Sequence, residues 1–178
     1  AWACVDPFQL HFKVSKGSGY DIACAISNSP IIYSLQDNKP EYLPVHFSPQ
    51  FADKIFFVFQ GKKQDSSEGI IKFRSRNTET DDKDIMVVNL LTDRMLYSKT
   101  LPEFEAVMRE HEGLISALVG VPPIKKTLFN DLPGEVKSLG AWGGDFCMLT
   151  WNDDPVLLSA YLKSKELETW FNFSDIVL

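Results

Sequence analysis

The feature that most constrains the fold is a pair of long helical-period stripes set between short aromatic strands. From Ile85, apolar residues recur at Val88, Leu91, Met95 and Leu96, with Thr92 at the edge of the stripe. A second set recurs at Leu101, Phe104, Val107, Met108, His111, Leu114, Ile115 and Leu118. Spacings of three and four residues put each set on one side of a helix. Thr100 as cap and Pro102 near the first turn mark the start of the second helix, and Pro122-Pro123 breaks its pattern. Helices are therefore expected over 84–98 and 102–119. Outside them the pattern changes. The run KIFFVFQ, Lys54 to Gln60, has the length and aromatic, β-branched content of a buried strand. Asp145 to Trp151 and Trp170 to Phe173 read the same way, with a helix over 155–163 between them and a short helix over 123–131 before them. The order strand, helices, strand, helix, strand predicts an α+β fold with helices on one face of an antiparallel sheet, of the ferredoxin-like split βαβ kind.

The first third of the chain has another texture. Asp6-Pro7 begins a short helix, with Asp as cap and Pro in the first turn, and Phe8, Phe12 and Val14 give it an apolar side. Lys16-Gly17-Ser18-Gly19-Tyr20-Asp21 leads into a helix of small residues, Ile22 to Asn28, which Pro30 ends. Strands are expected over 31–35 and 41–47, flanking a turn at Asp37-Asn38-Lys39-Pro40. A further helix is expected from near Ser66, covering Ile70, Ile71 and Phe73, with 74–83 as an exposed connection. The opening Ala1-Trp2-Ala3-Cys4-Val5 reads like the tail of a helix already under way, so a preceding segment of the same protein is expected. Exposed apolar side chains around Trp2, Phe8 and Phe12 would mark where it packs.

Charge and composition exclude some roles. The formal net charge is -6, which weighs against nucleic acid as a partner because a phosphate backbone selects a basic face. No apolar run approaches the length of a membrane span. Cys4, Cys24 and Cys147 show no metal spacing and read as reduced thiols of a cytoplasmic protein.

Three loops can carry chemistry. In Gly17-Ser18-Gly19-Tyr20-Asp21, glycines before a helix let a ligand approach the backbone, and the helix start favours an anion. Alone, this segment also reads as a capping box in which Ser18 caps and Asp21 reaches back. In Gly61-Lys62-Lys63-Gln64-Asp65-Ser66-Ser67, two lysines and two hydroxyls at the end of a strand could hold an anionic group, or form a solvated loop. In Val136 to Asp145, three glycines in five residues, between a lysine and a strand, fit a loop packed on phosphate or backbone, or a tight turn into the next strand. His111, on an apolar helix face, reads as a core or boundary histidine rather than a catalytic one.

In their order, these loops resemble the C-terminal part of the galactokinase–homoserine kinase–mevalonate kinase–phosphomevalonate kinase (GHMP) superfamily. Ser18-Gly19-Tyr20-Asp21 is similar to the family segment that carries the catalytic aspartate. Lys137 to Gly144 is similar to the family's third motif, K-x-x-G-A-G-x-G-G. The likeness is nearest to the mevalonate and phosphomevalonate kinase branch, and Gly19-Tyr20-Asp21-Ile22-Ala23 resembles a bacterial "GYDIA" subgroup. Two departures stand out: Trp142 where the family has Gly, and Asp145 where a small residue is common. The family's second motif, P-x-x-x-G-L-x-S-S-A, which cradles the ATP phosphates, is absent from the chain.

The resemblance implies an ATP- and Mg²⁺-dependent phosphotransferase acting on a small-molecule acceptor. It implies Asp21 as catalytic base; Ser18, Gly19, Lys62, Lys63, Ser66 and Ser67 as acceptor-binding; and Lys137, Gly140, Ala141, Gly143 and Gly144 as support for the phosphate loop. No Mg²⁺ ligand is named, and the 178-residue chain by itself is expected to be inactive. It further implies that 1–53 is a remnant of the N-terminal catalytic domain and 54–178 the C-terminal ferredoxin-like domain. A degenerate family member serving as a binding or regulatory module, and an unrelated ferredoxin-like binding domain, are the alternatives.

Overall fold

A computed structural model describes residues 5–15, 17–37, 39–61, 73, 75, 82–140, 142 and 144–177. The chain divides into two compact units, Ala1–Ser48 with Val177–Leu178, and Pro49–Ile176.

The first unit contains helices α1 (Pro7–Val14) and α2 (Tyr20–Ile26) and the hairpin of β1 (Ile31–Gln36) and β2 (Lys39–Pro44). Asp6 caps α1, its carboxylate accepting from the Phe8 N–H at 2.9 Å, with Pro7 at the first helical position. The hairpin pairs Gln36 with Lys39 and turns at Asp37, whose φ of +50° places it in the left-handed region. Lys39 and Pro40, expected in the turn, are the first residues of β2. The helix expected from Ile22 to Asn28 runs instead from Tyr20 to Ile26. Gly19 opens it with φ +78°, and Ser27 ends it well before Pro30.

The second unit holds β3 (Ile55–Phe59), α3 (Asp82–Leu96), α4 (Leu101–Val119), α5 (Ile124–Thr127), β4 (Val136–Ser138), β5 (Phe146–Thr150), α6 (Pro155–Ser164), β6 (Trp170–Asn172) and α7 (Phe173–Ile176). Its sheet has the order β4-β5-β3-β6, antiparallel throughout. Counted from β3, this is the strand order of a ferredoxin-like βαββαβ unit. Phe56, Val58, Val136, Cys147 and Leu149 point from the sheet into a core shared with Leu158 and Leu162 of α6 and with Ile124, Phe129 and Leu132. Phe56, Phe129, Leu149, Leu158 and Leu162 are fully buried, and each contributes about 1.5–3 kcal/mol on removal from water.

α3 and α4 lie against one another. Thr100 and Glu103 form the capping box that starts α4, and Gly120 ends it at φ +62°. Phe104, Val107 and Met108 are buried on its inner side. α4 reaches the sheet through Glu105, which accepts from Thr150 Oγ1 at 2.6 Å, and through Arg109, which donates to Glu135 at 2.7 Å. Of the stripe on α3, Leu91 is buried, but Ile85 is half exposed. It lies one turn from the start of the helix, beyond the packed part. The helix expected over 123–131 is a single turn, Ile124–Thr127. Of the helix expected from near Ser66, only Phe73 lies among the described residues, and it is helical; of 74–83, expected as an exposed connection, Ser75 is helical and Asp82 and Lys83 open α3, and the rest lies outside the described residues.

Gly134 is needed for backbone approach. A Cβ there would stand 2.0 Å from the Thr150 carbonyl oxygen, where β4 closes on β5. No helix among the described residues is long and apolar enough to cross a membrane.

Candidate functional site

The Gly17–Asp21 loop is built by the elements around it. Gly19 adopts φ +78°, which a side chain resists, and α1 crowds it: a Cβ on Gly19 would lie 3.3 Å from the Phe8 ring and 3.5 Å from the Phe12 ring. The His11 ring nitrogen Nε2 meets the Gly17 carbonyl at 3.1 Å. The Tyr33 hydroxyl, carried by β1, donates to the Ser18 carbonyl. Ser18 Oγ accepts from the Tyr20 N–H at 3.3 Å. Gly19, not Ser18, is therefore the cap of α2, and it makes no side-chain cap bond. Among the described residues no bond carries the Asp21 carboxylate back to Ser18, so the capping-box reading of this segment does not hold. Asp21 stands exposed in the first turn of α2. Beside it the Tyr20 hydroxyl is pushed up to about 12 by its bond with the Cys24 thiol, by burial and by the Asp21 charge.

The second loop follows β4. Val136–Ser138 is a strand where the sequence predicts the start of a glycine-rich loop; three residues are too few to show alternation, yet Val136 and Ser138 are buried. Beneath the loop lies a polar group that α4 supplies. Glu112, 3% exposed, accepts from the Ser138 N–H at 2.8 Å and from its hydroxyl at 3.3 Å. Lys137 donates to the Ser138 carbonyl at 3.3 Å. Burial pulls the Lys137 ammonium below the usual lysine range, and the Glu112 charge opposes that pull. Burial pushes Glu112 upward, against the Ser138 N–H and the Lys137 charge. His111 is held down to about 4, by burial first and by Lys137 second, so it is neutral near pH 7. Its Nδ1, and the Trp142 indole nitrogen, are buried without a hydrogen-bond partner among the described residues. Trp142 takes φ +51° and Gly140 φ +63°.

Of the sequence-predicted residues, Ser18, Gly19 and Asp21 lie side by side in the first unit, and Lys137, Gly140 and Gly144 belong to the second, where the Gly144 carbonyl accepts from Gln60 Nε2 at 3.0 Å. Lys62, Lys63, Ser66, Ser67, Ala141 and Gly143 lie outside the described residues. Glu112 was missed. A signal existed: it falls four residues after Met108, so the helical period puts a carboxylate beside the buried stripe. Among the described residues no three His, Cys, Asp or Glu side chains group so as to hold a metal ion. The Mg²⁺ that the resemblance implies thus finds no ligand set there.

No protein-family model and no curated protein matches the chain. Solved structures do. The mevalonate kinase of L. major, in complex with R-mevalonate, superposes with a TM-score of 0.63 at 15% identity, over 89% of this chain and 52% of that one. The mevalonate kinase of Methanococcus jannaschii gives 0.58 at 19% identity, over 79% of this chain and 45% of that one. The chain thus spans about half the length of the structures it matches, and at these identities the likeness is one of fold: mixed α+β, with antiparallel sheets, as in mevalonate kinases.

Proposed function

We propose that the chain is part of a GHMP-type small-molecule kinase, of the mevalonate or phosphomevalonate kinase kind, which moves the γ-phosphoryl group of ATP to an oxygen of a small acceptor. One observation carries the reading: the fold of a mevalonate kinase extends over 89% of the chain, and the chain has the S-G-x-D segment and the K-x-x-G-A-x-G-G segment in the family's order. That coverage exceeds what Pro49–Ile176 alone accounts for, which disfavours a chance ferredoxin-like domain.

In this reading the first unit is a remnant of the catalytic N-terminal domain and the second is the C-terminal domain. Phosphoryl transfer demands alignment and charge neutralisation more than covalent chemistry. Asp21, exposed at the start of α2, takes or orients the proton of the acceptor hydroxyl. Ser18 and Gly19 shape the backbone beside it, and Lys62, Lys63, Ser66 and Ser67 bind the acceptor's anionic group. Lys137 and the loop through Gly140, Ala141, Gly143 and Gly144 support an ATP-phosphate loop from a preceding segment of the same protein. Mg²⁺, when bound, neutralises phosphate charge; no residue described here is assigned to it. The setting is cytoplasmic.

The test is Asp21→Asn in the full-length protein, assayed with ATP against mevalonate, phosphomevalonate, homoserine and sugar acceptors. The wild type should turn over one of these, and the variant should lose at least about 100-fold in kcat, the scale of a general base, with an unchanged unfolding midpoint. Near-native turnover by the variant would remove Asp21 from the catalytic role.

One observation favours a second reading, a family member degenerated into a ligand-binding or regulatory module. Trp142 puts an indole, in a left-handed backbone conformation, where the family pattern has Gly. Calorimetry with ATP on the full-length protein distinguishes the two: a binding module takes up ligand without turnover on any acceptor.

A further inference from the structure

Glu112 has no part in the chemistry just described, yet it is among the least exposed charged groups of the second unit. A carboxylate buried in this way is costly unless its oxygens are bonded and its charge is balanced. The segment that opens the glycine-rich loop meets the first condition with its bonds, and the Lys137 charge of the same segment eases the second from beyond direct ion-pair distance. One oxygen accepts from the Ser138 N–H at 2.8 Å, and the other takes the Ser138 hydroxyl at 3.3 Å. Ser138 is the last residue of β4, an edge strand, and its N–H points away from β5. Without Glu112 this amide would be a buried donor with no partner, on the edge from which the loop departs. The neighbouring Lys137 brings the compensating charge and bonds the Ser138 carbonyl. The same two-residue segment is therefore gripped at its N–H, hydroxyl and carbonyl.

We infer that Glu112 is a positioning residue: it fixes the point where the glycine-rich loop leaves β4 and balances the charge of Lys137, so that the loop meets an anionic ligand with its backbone set and its cation in place. The last clause rests on the kinase reading; the grip on Ser138 and Lys137 does not. Among the described residues, the charged and titratable groups coupled to the pair are His111 on α4, neutral, and Cys147 on β5, whose thiol burial and the Glu112 charge push up to about 12.

Two replacements separate the hydrogen bond from the charge. Glu112→Gln keeps an acceptor for the Ser138 N–H and removes the charge; Glu112→Ala removes both. Titration of Lys137 followed by carbon NMR of labelled lysine in the full-length protein, assigned through Lys137→Arg, should show a midpoint lowered by about one unit or more in Glu112→Gln, the scale of a lost close countercharge. Hydrogen exchange at the Ser138 amide should stay slow in Glu112→Gln and quicken at least tenfold in Glu112→Ala. An unchanged Lys137 midpoint in Glu112→Gln, which needs no folded alanine variant, overturns the charge role. Unchanged exchange in a folded Glu112→Ala overturns the grip. Neither readout uses a substrate, so either can fail while the kinase reading stands, and the reverse.

Discussion

The two glycine-containing loops are held by opposite means. Gly17–Asp21 is shaped from outside, by the rings of Phe8, His11 and Phe12 and by the Tyr33 hydroxyl, and its acidic residue stands exposed. The loop after β4 stands on buried polar groups, with Glu112 and Ser138 inside and Lys137 and His111 half inside. Contacts on an exposed loop exchange with water at little net cost, whereas a buried charge or amide must keep its partner or the structure yields. The first loop should therefore keep its stability when the residues around it are replaced, and lose most of its function at Asp21. The second should lose stability before it loses anything else.

The largest effect expected from this contrast is at Gly134, which leads into β4. A methyl group there meets the Thr150 carbonyl at 2.0 Å, and backbone cannot rotate away as a side chain can. Gly134→Ala should cost about 3 kcal/mol or more, at the upper end of overpacking effects, read from urea unfolding. Gly140→Ala, where no described residue lies within 4 Å of the new methyl group and the φ of +63° resists it, should cost about 1 kcal/mol. Equal midpoints for the two variants would show that β4 is not closed on β5 as described.

That difference between two glycines also shows where the sequence is readable. Gly134 and Gly140 look alike in a string of letters; only the partner strand distinguishes them. The helices α4 and α6 are legible because their stripes, caps and prolines repeat a local rule, and Thr100 with Glu103 names its own helix start. β3 and β5 are legible as aromatic runs. β4 is not, since its three residues gain their state from pairing with β5 rather than from any period. Glu112 hides for the same reason: its role depends on the Ser138 amide, 26 residues away. For the site, Gly19 and Asp21 stand out because a glycine before a helix is a local signal. Lys137 could be marked as part of a loop, but not as a half-buried cation beside a buried carboxylate.

A second, smaller effect follows from His111. Its folded pKa of about 4 lies below the ordinary value of 6.5, so the unfolded chain takes up a proton that the folded one refuses. Stability from this group is present above pH 6.5 and declines as pH falls from there to about 4. The full decline would be at most about 3 kcal/mol, and less in practice because the ring is not wholly buried. His111→Phe removes the titration and keeps the volume. The gap between wild type and variant in unfolding free energy should widen against the wild type between pH 7.5 and pH 4.5. A gap independent of pH would mean that His111 is solvated, and that the second loop lacks the dry floor attributed to it.

The smallest effect belongs to the first loop and probes its outer support. Tyr33 contributes one hydroxyl, donated to the Ser18 carbonyl, and a ring set edge-on to Tyr20 at 5.6 Å. Tyr33→Phe removes the hydroxyl and leaves the ring. The Ser18 carbonyl is not sealed off, so water can take the lost donor's place, and the cost in stability should be about 0.5–1 kcal/mol, the net worth of one such bond. The functional consequence should be larger than the stability change. Ser18 lies directly before Gly19, and a carbonyl no longer tethered lets the backbone that carries Asp21 move, while alignment of a reacting group supplies much of a phosphoryl-transfer rate. In the full-length protein, Tyr33→Phe should therefore reduce kcat several-fold at nearly unchanged unfolding midpoint, and Phe8→Leu, which thins the other support at Gly19, should act in the same direction. A Tyr33→Phe enzyme with wild-type kcat would show that α1 alone sets this loop. A variant destabilised by more than about 2 kcal/mol would exceed the worth of one exposed bond and would put a buried, load-sharing hydrogen bond in the first loop as well, erasing the contrast between the two.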